Sequence, residues 1–158
     1  MNILKVYLDT SVVGGCFDEE FREASEKLMR YIRLRIFTGV VSPVTIEELE
    51  DAPENVKAVL KQFDSDELIR LEEPDEVFSL AKAYLDAKVV PQRFEDDALH
   101  IAYATVNKAD VVVSWNFKHI VNLQRIHGFN AVNLMEGYSE IEIRSPKELI
   151  YGKEEEGI

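Results

Sequence analysis

The sequence has few of the features that mark secreted or membrane-spanning proteins. Cys16 is its only cysteine, which excludes an internal disulfide and fits a reducing compartment such as the cytosol. No apolar run approaches the roughly 20 residues that a membrane-spanning helix needs. Charge appears as early as Lys5, inside the region where a signal peptide would place its apolar core. We therefore expect a cytoplasmic protein.

Positive charge is also scarce, since 18 Lys and Arg face 30 Asp and Glu, for a net charge of -12. Such a balance weighs against nonspecific binding to nucleic-acid backbones, which normally uses a basic surface. The acids are unevenly spread: residues 47–76 hold 12 of them against only Lys57, Lys61 and Arg70, a net charge of -9. The remainder of the chain is near balance. The composition therefore disfavours a nucleic-acid substrate without excluding one.

What the sequence does contain is enough apolar residues for a core and a regular alternation of strands and helices. With 158 residues, 46% of them hydrophobic, we predict a single domain over residues 1–150 and a polar tail over residues 151–158. Strands are expected at 3–8, 40–41, 68–71, 111–114 and 131–134, and a loop at 10–17. Helices are expected at 19–37, from 43 onward, at 53–63, 74–87 and 94–107. This order predicts an α/β fold, a three-layer α/β/α sandwich with a central, mostly parallel sheet of about five strands.

Polar residues follow several of these strands, at the edge where parallel α/β sheets bind ligands. Asp9, Glu47 and Glu48, and Asn116 follow strands, while Asp96 and Asp97 start a helix. Carboxylates gathered at one edge would repel one another unless a divalent cation offset their charge, and oxygen ligands suit Mg²⁺ or Mn²⁺. Each acid also has a purely structural interpretation as a turn residue, a helix cap or solvated surface. Spacing alone thus makes the metal site a hypothesis.

The local sequences around these residues resemble the four motifs of PIN-domain nucleases, in the same order along the chain. The matching segments are VYLDTSVV at 6–13, VSPVTIEEL at 41–49, FEDDALHIAYA at 94–104 and VVVSWNFKHI at 111–120. The resemblance extends over about residues 3–134. It selects Glu48 over Glu47 and Asp97 over Asp96, which stays a second-rank candidate.

The resemblance implies Mg²⁺- or Mn²⁺-dependent hydrolysis of RNA phosphodiester bonds. It makes Asp9, Glu48 and Asp97 the metal ligands, and it places Asn116 with them among the catalytic residues. Asn116 and the hydroxyl of Thr10 or Ser11 are expected to position water or a phosphate oxygen. Because many relatives carry an acid at the place of Asn116, the number of bound metals stays open.

Many short bacterial and archaeal members of the family are VapC-like toxins of toxin–antitoxin pairs, usually dimers inhibited by a cognate antitoxin. The resemblance therefore implies an endoribonuclease toxin with an RNA substrate, a cognate antitoxin and a homodimeric state.

Other interpretations stay open at this point. A phosphohydrolase similar to the haloacid-dehalogenase group would need a second Asp where Ser11 stands. A catalytically impaired PIN-like binding or scaffolding module is favoured by Asn116 and the acidic middle of the chain.

Trp115 could stack on a base, although packing explains it better. Basic residues that could guide a nucleic-acid strand, each also explained as ordinary surface, are Arg30, Arg33, Arg35, Lys118, Arg125 and His127. None of the histidines lies at a sequence spacing from other potential ligands that is typical of a zinc site.

Overall fold

The centre of the fold is a sheet of five short, parallel strands. The computed structural model describes residues 2–157; Met1 and Ile158, which begin the predicted domain and end the predicted tail, lie outside the described residues. The strands are β1 (Leu4–Leu8), β2 (Phe37–Val41), β3 (Leu68–Arg70), β4 (Val111–Val113) and β5 (Glu142–Arg144). They are ordered β3-β2-β1-β4-β5, and every pairing is parallel. The carboxyl end of β1 therefore lies at the middle of the sheet edge.

Helices cover both faces of this sheet. They are α1 (Thr10–Gly15), α2 (Arg22–Arg33), α3 (Pro43–Leu49), α4 (Glu54–Lys61), α5 (Asp75–Asp86), α6 (Glu95–Val106), α7 (Leu123–Met135) and α8 (Pro146–Glu155), with a 3₁₀ turn at Gln92–Phe94 before α6. One core cluster joins Tyr7 and Val112 to α5, α6 and α7. The other joins Leu8 and Val113 to α1, α2, α4 and α8. The predicted parallel α/β/α architecture is confirmed. Among residues 2–157, no helix combines the length and the apolar character that crossing a bilayer requires.

The fifth strand was predicted in the wrong place. Residues 131–134 belong to α7, where Phe129 and Val132 are buried three residues apart while Leu134 and Met135 are exposed. That spacing fits one face of a helix and not a strand. The actual strand β5 has three residues, of which only Ile143 is fully buried between the charged Glu142 and Arg144. Such a short and charged edge strand carries little hydrophobic pattern.

The segment predicted as a loop at 10–17 begins with a helix. Val12, Val13 and Gly15 of α1 are buried, so the turn packs against the sheet despite its two glycines. The helix predicted at 19–37 is shorter, because Arg35 takes a left-handed backbone conformation (φ 62°) and β2 begins at Phe37.

The first residues of the predicted polar tail are helical. Residues 151–155 continue α8, which begins at a capping box between Ser145 and Glu148. Ile150 anchors the helix in the core, and Lys27 of α2 pairs with Glu154 on its outer face.

Candidate metal centre and active site

Asp9 lies where the central strand β1 ends and α1 begins. Its backbone N–H donates to the carbonyl of Val113 at 3.1 Å, which fixes it between β1 and β4. The side chain is buried, and its Oδ2 accepts hydrogen bonds from the Ser11 hydroxyl at 2.6 Å and the Ser114 hydroxyl at 2.7 Å. Among the described residues this carboxylate bonds to side chains and not to the α1 backbone. Asp9 therefore occupies the N-cap position of α1, but its carboxylate does not serve as the cap.

Glu48 reaches the same place from α3, which begins at the N-cap Ser42 with Pro43 in its first turn. Its Oε1 accepts hydrogen bonds from the Thr10 hydroxyl at 2.7 Å and from Nε2 of His100 at 2.6 Å. Burial disfavours the charged carboxylate, but these two donors outweigh it and lower the pKa of Glu48. The neighbouring Glu47 is exposed to solvent.

His100 is a site residue that the sequence interpretation missed. It lies on α6 with 1% of its surface exposed, and its Nε2 is 3.2 Å from Asp9 Oδ1 as well as 2.6 Å from Glu48. Burial opposes the charged imidazole, but the facing Tyr7, Asp9 and Glu48 groups hold the pKa of His100 well above its ordinary value. One donor atom from each of Asp9, Glu48 and His100 lies within 4.8 Å of the others.

Asp97 lies one helical turn before His100, in the first turn of α6. Its Oδ1 is 3.4 Å from the side-chain nitrogen of Asn116, and its Oδ2 is 3.1 Å from Nδ1 of His119. Burial, followed by the charge of Asp9, raises the pKa of Asp97 to about 6. Negative charge is therefore in excess around this carboxylate. Asp96, the second-rank candidate, is exposed.

Asn116 and two serines hold the loop after β4 against these carboxylates. The Ser114 hydroxyl accepts from the backbone N–H of Asn116 at 2.9 Å, and the Ser11 hydroxyl accepts from that of Trp115 at 2.9 Å. The amide oxygen of Asn116 accepts from the backbone N–H of His119 at 3.0 Å, so the amide nitrogen is the end that faces Asp97. A role of Asn116 toward water or substrate stays a prediction.

Trp115 packs inside the protein. It is 9% exposed, its ring stacks on Phe21 at 4.2 Å, and its indole N–H donates to Ser25. These contacts cover both the ring and its polar atom, so packing explains this residue better than base stacking.

Four of the six basic residues that were considered as guides for a strand divide into two groups. Arg33 hydrogen-bonds to Gln62, and Arg35 pairs with Asp66 at 2.9 Å, so both belong to the α4–β3 side. In the other group, Lys118 and Arg125 lie near His119. Burial lowers the pKa of His119, and the charges of Lys118, Arg125 and Arg93 lower it further. Positive charge is thus present beside the Asp97 end of the site.

The donor set fits a divalent cation. It combines carboxylate oxygens with an imidazole nitrogen, and Asp9 and His100 are both buried. Carboxylates are common protein ligands of Mg²⁺ and Mn²⁺, and imidazole is a common ligand of transition-metal ions. Burial and, after it, the charge of Asp9 raise the pKa of Asp97, and a bound cation would offset that charge.

Comparison with known proteins agrees with this fold. A family model described as PIN domain matches residues 5–118, which include Asp9, Glu48, Asp97 and Asn116. A search of curated proteins found no match. Among solved structures, the chain is similar to a chain of VapBC2 from Rickettsia felis, crystallised bound to a DNA fragment from their promoter. The TM-score is 0.53 at 15% identity, over 73% of this chain and 90% of that chain. At this identity the likeness shows a shared fold.

Proposed function

The chain belongs to the PIN-domain family, and we propose that it is a Mg²⁺- or Mn²⁺-dependent endoribonuclease that hydrolyses RNA phosphodiester bonds. The observation that carries this proposal is the gathering of Asp9 and Glu48 with His100 at the carboxyl end of β1, within 4.8 Å of one another. Asp97 completes the acidic set from the same helix as His100. Members of this family are generally metal-dependent nucleases, and the chemistry of these ligands agrees with that activity.

The residues of the chain have separable roles in this proposal. A divalent cation held by Asp9, Glu48 and Asp97 would activate water and offset the charge that develops on the scissile phosphate. Ser11 and Ser114 orient Asp9, while Thr10 orients Glu48. We therefore expect Thr10 and Ser11 to act first through the carboxylates that they contact.

Positive charge beside the site supports an RNA backbone as the substrate. Arg93 and Lys118 are exposed, and with Arg125 they lie near enough to His119, which contacts Asp97, for their charges to lower its pKa further after burial. In a chain of net charge -12, cations next to the acidic site offer a phosphate group a local attraction that the overall charge does not provide. This arrangement favours a strand that enters past His119.

The decisive experiment is cleavage of RNA by the purified full chain with Mg²⁺ or Mn²⁺, with and without a chelator. We expect activity to disappear with the chelator. It should also fall by about a hundredfold or more in Asp9→Asn and Asp97→Asn, because each substitution removes a charged ligand of the cation, and the loss of one electrostatic group typically lowers a catalytic rate by about 10²-fold or more. Asp96→Asn is the matched control, since Asp96 is exposed in the same helical turn. Cleavage that ignores the chelator and both substitutions would contradict the proposal.

We further propose that the protein is the toxin of a toxin–antitoxin pair. The fold is shared with the VapBC2 structure, and residues 47–76 offer a surface of net charge -9 on which almost every acid is exposed. Such a surface suits a basic segment of a cognate antitoxin. The product of a neighbouring small open reading frame, co-purified with the chain, is the partner to test.

The contribution of the acidic surface can be measured by charge reversal. Glu50→Lys, Asp51→Lys and Glu54→Lys together should weaken binding of that partner and flatten its salt dependence, because the attraction is screened by salt. Glu155→Lys and Glu156→Lys at the other end of the chain are the control. Unchanged affinity and salt dependence in the triple variant would remove the acidic surface from the interface.

A catalytically impaired binding module is the second candidate, favoured by one observation. Asn116 adds no charge to the site, and its amide oxygen is bonded to the backbone of His119. Titration with Mg²⁺ or Mn²⁺ separates the two functions. The nuclease should gain thermal stability that Asp9→Asn removes, whereas an inert module should show no stabilisation.

A further inference from the structure

The imidazole of His100 points directly between two carboxylates. It lies three residues after Asp97 on α6, so the two side chains share one face of the helix. Its Nε2 is 2.6 Å from Glu48 Oε1 and 3.2 Å from Asp9 Oδ1. Two adjacent ligands of one octahedral cation, each bound at about 2.1 Å, lie roughly 3 Å apart. The separations in this cluster are close to that value on both sides.

The other nitrogen of His100 is held as a ligating histidine requires. Nδ1 is 2.6 Å from the hydroxyl of Tyr7, a buried residue of β1, and the same hydroxyl is 2.7 Å from the Ser42 hydroxyl. Tyr7 can therefore accept a hydrogen bond from Nδ1–H and donate its own O–H to Ser42. In the neutral tautomer with the proton on Nδ1, Nε2 carries no hydrogen and presents a lone pair to the cluster, in place of the hydrogen bond that it donates to Glu48 without a cation. Metal-binding histidines usually have such a partner on the outer nitrogen, because it fixes the tautomer and the ring orientation.

From this geometry we propose that Nε2 of His100 is a direct ligand of the divalent cation, alongside Asp9 and Glu48, and that it makes the site prefer Mn²⁺ to Mg²⁺. The inference rests on the metal site of the proposed function and names its preferred ion. Mg²⁺ selects oxygen ligands and keeps much of its water, whereas first-row transition ions accept imidazole nitrogen readily. A site made only of carboxylates would lack this source of selectivity.

The test is pulsed electron paramagnetic resonance of the full chain loaded with Mn²⁺ alone. A bound imidazole nitrogen gives a ¹⁴N coupling that oxygen ligands do not produce. We expect this coupling in the natural sequence and its loss in His100→Gln. Because the first measurement uses the unaltered protein, absence of the coupling there overturns the inference even if His100→Gln fails to fold.

Two further histidines serve as controls for the source of the nitrogen. His127→Gln, on the exposed side of α7, should retain the coupling. His119→Gln should retain it too, although His119 contacts Asp97. If the coupling disappears in His119→Gln and persists in His100→Gln, the assignment of the ligand to His100 is wrong.

Calorimetric titration measures the selectivity. His100→Gln should lose about tenfold or more in affinity for Mn²⁺ and much less for Mg²⁺, so the preference between the ions falls. Mn²⁺ binding without any ¹⁴N coupling, but abolished by Asp9→Asn, would overturn the inference while the proposed nuclease site stands. Absence of binding for both ions would overturn the metal site and this inference together.

Discussion

Asn116 places an amide where an acid would add a negative charge to the proposed metal site. Its nitrogen faces Asp97 Oδ1 at 3.4 Å, and its oxygen accepts from the His119 backbone. Asn116→Asp keeps the second contact but turns the first into a repulsion between carboxylates. We expect a loss of about 1–2 kcal/mol in the free energy of unfolding without metal. Affinity for Mn²⁺ should rise severalfold, because the added charge is one that a cation offsets.

Chemical unfolding and calorimetric titration, each with and without Mn²⁺, measure the two effects. Asn55→Asp makes the matched change of charge at an exposed residue of α4 and should leave both quantities nearly unaltered. If Asn116→Asp weakens Mn²⁺ binding instead, the side-chain nitrogen of Asn116 itself contributes to Mn²⁺ binding.

The sequence was enough to predict that the polar side chains at the ends of strands lie at one edge of the sheet. It was not enough to predict that His100 lies there too. Asp9 follows a strand of apolar residues and Glu48 follows a strand and a helix cap, so the order of elements alone brings both to one edge. The contacts of His100 are made with residues 52 and 93 positions away. Its local signal, the three-residue spacing from Asp97, fits a buried core histidine equally well. Only the packing of α6 against β1 decides between these alternatives.

At the scale of single elements, the short helix α1 depends on the absence of a side chain at Gly15. A Cβ atom there would lie 2.6 Å from the Ser25 hydroxyl and 2.8 Å from the indole nitrogen of Trp115. Those two atoms are themselves hydrogen-bonded at 2.9 Å. Gly15→Ala must therefore displace α2 or Trp115, and we expect a loss of about 1–3 kcal/mol in the free energy of unfolding.

Gly14→Ala is the matched control in the same helix, since an added Cβ atom there meets nothing within 4 Å. Alanine favours helix over glycine by about 1 kcal/mol, so Gly14→Ala should be neutral or stabilising. Urea unfolding of both variants gives the comparison. Equal stabilities would show that the space around Gly15 can expand without cost.

The elements show where sequence patterns suffice and where they do not. β4 and the last three residues of β1 are apolar and buried on both faces, and β2 is buried except at Thr38, as parallel strands between helix layers require. β5 has no such run, and the apolar residues of α7 mimic one over residues 131–134. α1 carries two glycines that favour a loop, but its burial against the sheet makes a helix. Packing decides these cases, since the local sequence alone permits either structure.

At the scale of the whole molecule, the few cations near the site should control the binding of RNA. Lys118→Glu is expected to weaken binding of single-stranded RNA, because it removes an attraction beside Asp97 and adds a repulsion. Each lost phosphate contact should lower the slope of log affinity against log salt by about 0.7. Filter binding across a range of salt concentrations, in an Asp97→Asn background that prevents cleavage, measures both quantities.

Lys82→Glu is the control for this experiment, since Lys82 is equally exposed but pairs with Asp86 on α5. It makes the same change in net charge away from His119. If both variants weaken binding to the same extent, overall charge governs the affinity and no strand path past His119 exists.

We expect two copies of the chain to associate, as the family resemblance implies, through a contact formed by α7. A twofold contact brings a surface against its own copy, so like charges on that surface repel. In a chain of net charge -12, α7 stands out because Arg125 is its only Lys, Arg, Asp or Glu among 13 residues. Its apolar side chains Leu123, Leu134 and Met135 are 72%, 57% and 83% exposed. Covering them against a second copy would remove apolar surface from water without bringing acids together.

Sedimentation of the natural chain should therefore give twice the 18.1 kDa of one copy. Leu123→Glu and Met135→Glu should shift the mass toward the monomer, because each places paired acids in the contact. Leu34→Glu, at an exposed apolar residue after α2, makes the same change elsewhere and should leave the dimer intact. A monomer at tens of micromolar, or a dimer that only Leu34→Glu dissociates, would rule out α7 as the contact.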